Sequence, residues 1–371
     1  MTGRPLDIVL VGLSLTSSWG NGHATTFRAL LRGLRELGHE VLFLERDVPW
    51  YAANRDLPRP DFCDLELYGG VGELRSKHGA ALEGADAVLV GSYVPEGVEV
   101  LATVLDVARG VVAFYDIDTP VTLAKLARQE EEYLARWQIP LLDLYFSFTS
   151  GPTLERIEGE LGARRAVPLH CSVEPERYRP TGAPTRWDLG YLGTYSADRQ
   201  PTLERLLLEP ARRLPERRFV VAGPLYPADI RWPENVERIE HLPPSEHPAF
   251  YGQQRFTLNV TRADMVEAGW SPSVRLFEAG ACGTPIVSDD WPGLTELFPA
   301  DEAIVVARES ADVVRLLEET PEEKRLALAA AARAIVLGAH TGRARARELV
   351  AALESTLAHQ ERSHGAHRLA R

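Results

Sequence analysis

The sequence has little cysteine, and none of it is spaced for a metal. Cys63, Cys171 and Cys282 are widely separated and odd in number, which predicts a reduced interior rather than a disulfide-stapled or zinc-bound scaffold. A long apolar run is missing too. The opening stretch, MTGRPLDIVLVGL, runs out of apolar residues before the length that a signal peptide or a membrane span requires, so the expectation is a cytoplasmic protein with no transmembrane segment. Basic charge is in deficit: 53 acidic residues against 41 basic ones give a formal net charge of -12. That balance speaks against general nucleic-acid or anionic-membrane binding and makes any phosphate site a local one. No short-period repeat is present. Neither half carries a complete Gly-x-Gly-x-x-Gly fingerprint, which argues against an NAD-dependent enzyme.

What is present reads as an α/β protein. At 371 residues the chain is too long for one ordinary core, and 45% hydrophobic with 25% charged residues is the balance of a folded globular protein. Short Val/Ile/Leu-rich runs bounded by polar residues read as strands buried on both faces, the signature of a parallel sheet. They occur at Leu6 to Leu13, HEVLFLE (39–45), DAVLVGS (86–92), GVVAFYD (110–116) and LDLYFSF (142–148). Between the first two, Phe27, Leu30, Leu31, Leu34 and Leu37 fall at helical spacing and Gly38 ends the helix. The same grammar restarts at DLGYLGT (188–194) and continues through RFVVAGP (218–224), RFTLNV (255–260), a helix around Arg275 and Glu278, and PIVSD (285–289). The aperiodic Pro- and Arg-rich stretch from Pro175 to Pro184 reads as the linker. The predicted architecture is two Rossmann-like doubly wound domains facing a central cleft, residues 1–174 and 185–340, followed by a crossover helix and tail over 341–371.

Ligands of open α/β sheets bind outside the carboxyl ends of the strands, so the loops there are the place to look for chemistry. GNGH (20–23) opens a helix, and His23 is a candidate general base or hydrogen-bond donor, or else part of a tight turn. FYDIDTP (114–120) places Asp116 and Asp118 at a strand end. One of the two is explained by capping the helix that follows, but capping does not account for both. GTYSADRQPTLERLL (193–207) joins a Gly turn and hydroxyls to Arg199 ahead of a helix, which suits a diphosphate. In SPSVRLFEAGACGTPIVSDD (271–290), Ser273 and Arg275 stand at a helix start where hydroxyl, dipole and guanidinium converge on one anion. Glu278, three residues on, is placed to accept two hydrogen bonds from a vicinal diol such as ribose.

SVRLFEAGACGTPIVSDDWPGLTELF resembles the donor-binding segment of the glycogen-synthase-like glycosyltransferases of GT-B architecture, and is most similar to the branch related to the CgeB spore-maturation protein. GYLGTYSADRQPTLERLL, FYDIDTPVTL and AHTGRARARELV resemble further segments of that branch. The resemblance spans about Leu6 to Leu349. It implies a hexosyl transfer from a nucleotide-diphosphate sugar of UDP, dTDP or GDP type to an acceptor hydroxyl, with no other cofactor. The acceptor class stays open among glycan, lipid-linked, protein and small-molecule hydroxyls. Glu278 matches the ribose-binding second carboxylate of the family's Glu-x7-Glu pair, while Trp270 stands where the first is expected, with Glu267 or Asp264 as displaced substitutes. Gly193, Thr194, Arg199, Ser273 and Arg275 match the diphosphate contacts, and the backbone around His241 to Pro243, centred on Leu242, would hold the base. Arginines and helix N-termini can stabilise the leaving diphosphate without a metal. An inverting reaction would use Asp118 or His23 as base. Two other readings remain: an epimerase or hydrolase of the same fold, and a non-catalytic nucleotide-sugar-binding protein.

Overall fold

The doubly buried apolar runs form the middle of two parallel sheets. A computed structural model describes residues 4–19 and 22–369, with side chains as far as 362. The chain divides into two compact units, Met1–Ser172 together with Gly342–Arg371, and Val173–Thr341. Of the GNGH turn, Gly20 and Asn21 lie outside the described residues.

The first unit holds β1 (Asp7–Gly12), β2 (Glu40–Arg46), β3 (Asp64–Tyr68), β4 (Ala87–Gly91), β5 (Val111–Asp116), β6 (Leu144–Ser147) and β7 (Ala166–Pro168). They pair in the order β3-β2-β1-β4-β5-β6-β7, all parallel, with Val9 opposite both Leu42 and Val88. Alternation divides the core. Ile8 and Leu10 pack with Phe27, Leu30, Leu31 and Leu34 on one face, while Val9 and Val11 pack with Leu74, Leu82 and Val104 on the other. Burying both faces of a strand requires the uninterrupted apolar runs seen in the sequence. The last helix, Gly342–Leu369, returns to this unit and adds Leu349, Val350 and Leu353 to the first face. It meets the Gly22–Glu36 helix through two glycines. A Cβ on Gly33 would lie 2.4 Å from the Gly342 carbonyl oxygen, and one on Gly342 would lie 2.0 Å from that of Ala29, so only glycine allows this approach.

The second unit holds β8 (Trp187–Leu192), β9 (Phe219–Ala222), β10 (Val236–Ile239), β11 (Gln254–Asn259), β12 (Ile286–Ser288) and β13 (Val305–Val306), in the parallel order β10-β9-β8-β11-β12-β13. The stretch from Pro175 to Pro184 lies within this unit, where Tyr178 is buried. The crossings fall instead next to Val173 and Thr341, which bridge one another, and the Val173 amide donates to the His340 carbonyl at 3.0 Å. Among the described residues, no helix is long and apolar enough to cross a membrane.

Candidate functional site

In each sheet the strand order reverses at one point, between β1 and β4 in the first unit and between β8 and β11 in the second. The connections leave in opposite directions there and open a crevice at the carboxyl ends, where such sheets take their ligands. The residues singled out in the sequence cluster at these two places.

In the second unit, two glycines bring the β8 and β9 loops together. Gly223 has φ +138°, and a Cβ on it would lie 2.1 Å from the Gly193 oxygen. A Cβ on Gly193 would strike the Tyr191 hydroxyl at 2.5 Å and reach Arg275 Nη2 at 3.0 Å. Neither position has room for a side chain. Arg275 rises from the first turn of the Val274–Ala281 helix, whose N-cap Ser273 accepts from the Arg275 amide. The residue as a whole is buried, at 8% exposure. Nε donates to the Leu192 carbonyl at 2.6 Å, Nη1 to Asn259 Oδ1 at 2.8 Å, and the group lies 4.9 Å from the Tyr191 ring centre. Asn259 is oriented for this by its amide nitrogen, which donates to Thr261 and Ser288. Arg199 donates to the Thr194 carbonyl at 2.7 Å, and its Nε is buried with no partner. Burial lowers the Arg199 pKa, with the charges of Arg275 and Arg262 acting in the same direction. Among the described residues, Arg199, Arg262 and Arg275 form no ion pair with a carboxylate.

Glu278 lies one turn further along the same helix, 7% exposed. The Tyr251 hydroxyl donates to its Oε2 at 2.9 Å, and His247 Nδ1 stands 4.0 Å from the same oxygen. Burial first, and then the Glu278 charge, pushes the Tyr178 and Tyr251 hydroxyls up. Burial lowers the His247 pKa, against the pull of Glu278 and a hydrogen bond with the Leu242 backbone. Leu242 and Glu278 therefore belong to one neighbourhood, joined by His247. The sequence reading missed His247, Tyr251, Tyr178, Arg262 and Asn259, because no local pattern announces a side chain that serves a residue so distant in the chain.

At the position expected for a first carboxylate, Trp270 adopts φ +43°, an uncommon conformation for a bulky residue. Its indole covers Gly293, where a Cβ would lie 2.5 Å from the ring, and donates to Glu296 Oε2 at 2.9 Å. Asp264 and Glu267 are exposed, on or beside the short Ala263–Ala268 helix.

In the first unit, the segments after β1, β4 and β5 bring together His23, in the first turn of the Gly22–Glu36 helix, Tyr93 and Asp118. His23 Nε2 and Asp118 Oδ2 are 2.8 Å apart. The His23 side chain is 10% exposed and that of Asp118 41%, so Asp118 is the member that meets solvent. Asp118 occupies the N-cap of the Thr119–Ala127 helix, yet its side chain makes no capping bond. Tyr93, which the sequence reading did not single out, has φ +61° and lies edge-on to the His23 ring at 5.6 Å.

Asp116 is placed differently. Its carboxylate is fully buried and accepts from Tyr145 at 2.6 Å and Thr122 at 2.7 Å, with the Asp118 amide at 3.3 Å. It positions the Asp118 turn from inside the core and is out of reach of a substrate. Burial pushes its pKa up to about 6. A raised carboxyl favours the protonated folded state, so its stabilising contribution is complete below about pH 4 and is lost as the pH climbs through about 6. The Asp116→Asn variant should therefore lack the fall in melting temperature that the wild type shows between pH 4 and pH 7. An unchanged slope in thermal denaturation across that range would contradict this assignment.

Residues 199–351 match a family model described as glycosyl transferase-like. No curated protein matches the sequence. Solved structures match nearly the whole chain at low identity. Sucrose-phosphate synthase from Thermosynechococcus elongatus is 12% identical, with TM-score 0.70 over 96% of this chain and 100% of that one. HepE of Anabaena, solved with UDP and glucose, is 12% identical, with TM-score 0.65 over 94% and 100%. AviGT4, a glycosyltransferase of avilamycin A biosynthesis, is 17% identical, with TM-score 0.61 over 95% and 98%. The chain thus has the two-domain GT-B fold of these proteins, and its residues 199–351 are similar to a glycosyl transferase-like family.

Proposed function

We propose that the chain transfers a hexosyl group from a nucleotide-diphosphate sugar to an acceptor hydroxyl, the second unit holding the donor and the first the acceptor. The observation that carries this reading is the pair of guanidinium groups, Arg199 and Arg275, held at the Gly193 turn by carbonyl and amide oxygens with no carboxylate in ion-pair contact, the exposed Arg262 adding its charge beside Arg199. A buried guanidinium with no carboxylate in direct contact is costly, and a diphosphate supplies the contacting charge. Glu278, on the same helix as Arg275, is the ribose-binding group, and the backbone at Leu242 lies against the base. Neighbours of the same fold solved with UDP or UDP-glucose, HepE and an α-glucosyltransferase, support a UDP-type donor. The segments similar to the CgeB-related branch support a glycogen-synthase-like member.

As the sugar–phosphate bond breaks, negative charge grows on the diphosphate while the anomeric carbon becomes cationic. Arg275 and Arg199 meet that charge already oriented, because their carbonyl and amide partners hold them in place. Oriented donors of this kind are each worth roughly 2 to 4 kcal/mol. This supply of positive charge is the basis for proposing a metal-independent transfer. On the acceptor side, Asp118 takes the hydroxyl proton and His23 stabilises the pair.

The test is a panel of UDP-, dTDP- and GDP-hexoses, with nucleoside diphosphate release measured with and without acceptor extracts and with EDTA present throughout. Release that depends on the acceptor is the expected result. Release without acceptor would identify a hydrolase or epimerase, and binding without release a non-catalytic protein. For the ribose assignment, Glu278→Gln should weaken UDP binding by about tenfold, the loss of one charge-assisted hydrogen-bonding group. Unchanged affinity by calorimetry would remove Glu278 from the donor site.

A further inference from the structure

The large apolar side chains left exposed among the described residues are Trp19, Trp50, Trp137, Leu141, Leu225 and Leu326. Of these, Trp19 and Trp50 form a ring pair, with centroids 4.5 Å apart and planes at 65°. They are 51% and 58% exposed. Trp19 lies on the loop after β1, and Trp50 on the short Pro49–Ala52 helix after β2, so both stand at the carboxyl edge of the sheet that carries His23 and Asp118.

Two half-exposed indoles on mobile loops would collapse onto the nearest apolar surface. Here the loops beneath them are tightly cross-linked. The fully buried Glu45 carboxylate accepts from the amides of Leu15 and Thr16 and the hydroxyls of Ser14 and Thr16, at 2.6 to 3.1 Å. Arg28 binds both the Leu15 carbonyl and Asp56, and Asp56 in turn accepts from the Ser18 amide and hydroxyl. The amides of Asp56 and Leu57 donate to the Thr16 carbonyl, and Ser17 Oγ donates to Asn54. Asn54 closes the ring of contacts by donating to the Trp50 carbonyl. The indoles are thus presented on a fixed support, and little ordering entropy remains to be lost when something binds them.

We propose that Trp19 and Trp50 are the platform on which a pyranose ring of the acceptor stacks. This deepens the transferase reading above and rests on it. A pyranose has an apolar C–H face and a rim of hydroxyls. The platform offers the complement: two indoles, with polar Ser18 next to Trp19 in the chain and Asn54 bonded to the Trp50 carbonyl. Size decides against a protein partner, and the net charge of -12 against an anionic lipid surface. A whole tryptophan covers about 150 to 250 Å², so two half-exposed ones fall far short of the roughly 800 Å² that each partner contributes to a stable protein interface. The area suits one or two sugar rings. An acceptor ending in a sugar is therefore favoured over a simple alcohol.

The experiment uses the full chain with saturating UDP, and maltotetraose, cellotetraose and chitotetraose as probes. Saturation-transfer NMR from the indole protons and titration of indole fluorescence are the readouts. At least one oligosaccharide should bind the wild type. Trp50→Ala and Trp19→Ala should each weaken that binding by at least about tenfold, the loss expected on truncating a stacking aromatic anchor. UDP affinity by calorimetry should stay within about twofold of the wild type in both variants, since the two residues lie in the other unit. The proposal is overturned if no oligosaccharide receives saturation from the wild type, or if both variants bind as the wild type does. Self-association of the wild type that Trp50→Ala abolishes would also overturn it, by assigning the pair to a contact between copies. Oligosaccharide binding that depends on the tryptophans, in a protein that fails to bind UDP, would instead sink the donor assignment and leave the platform standing.

Discussion

Arg275→Lys is expected to lower kcat/KM for nucleoside diphosphate release by about two orders of magnitude, the loss seen on removing one oriented donor to a developing anion. Charge alone does not explain so large an effect, because lysine keeps the charge. The guanidinium is spread over three tasks: Nε holds the Leu192 carbonyl at the end of β8, Nη1 holds Asn259 at the end of β11, and Nη2 lies against the Gly193 turn. An ammonium has the donors but not the planar fork that serves these directions together. In Arg275→Lys either Leu192 or Asn259 loses its donor, or the charge withdraws from the Gly193 turn. Arg275→Ala should cost at least as much in turnover and also lower the melting temperature, because buried acceptors at Leu192 and Asn259 are then left unpaired. The two variants together separate the site from the fold. If lysine leaves UDP affinity and turnover at wild-type values, Arg275 is a structural tie between β8 and β11 and the diphosphate lies elsewhere.

Much of the fold could be read from the sequence, and what escaped did so for one reason. The strands identified from apolar runs are β1, β2, β4, β5, β6, β8, β9, β11 and β12, all with neighbours on both sides. The strands that escaped, β3, β7, β10 and β13, are the four edges of the two sheets. DLELY in β3 alternates between exposed and half-buried residues before Tyr68, and VERI in β10 has only Val236 buried. β7 is three residues long and β13 two. A criterion built on burial of both faces finds the interior of a parallel sheet and passes over its rim.

The site was legible to a different degree in each unit. Arg275 and Glu278 stand three apart on one short helix, so their spacing alone put them together. Asp116 and Asp118 also share a local pattern, but extended geometry ends at β5. Asp116, the last strand residue, turns into the core towards Tyr145, while Asp118, past the bend, turns towards His23. Neither side chain caps the following helix in the way that one of them was expected to. Tyr93, Tyr251 and His247 gave no local signal, since their roles follow from sheet order, which pairs segments far apart in the chain.

Asp118→Asn should lower the rate of sugar transfer by about 100- to 10,000-fold, the range contributed by a positioned general base, and leave UDP affinity unchanged. The assignment of the two members of the pair follows from exposure. A base must touch the hydroxyl it deprotonates, and Asp118 is four times more open to solvent than His23, at 41% against 10% of the side chain. His23 sits behind it, with Phe27 and Tyr93 edge-on to its ring, and stabilises the carboxylate through the 2.8 Å contact. Asparagine keeps the shape and can still bond to His23, so the fold and the loop should persist. His23→Gln should cost less than Asp118→Asn, because it removes the support and not the acceptor of the proton. Both variants should also change the pH profile of transfer, which a purely structural pair would leave in place. A transfer rate within about twofold of wild type in Asp118→Asn would exclude this carboxylate as the base. In that event the leaving diphosphate is left as the acceptor of the proton, which requires the sugar to keep its anomeric configuration, and the NMR spectrum of the product would report which outcome holds.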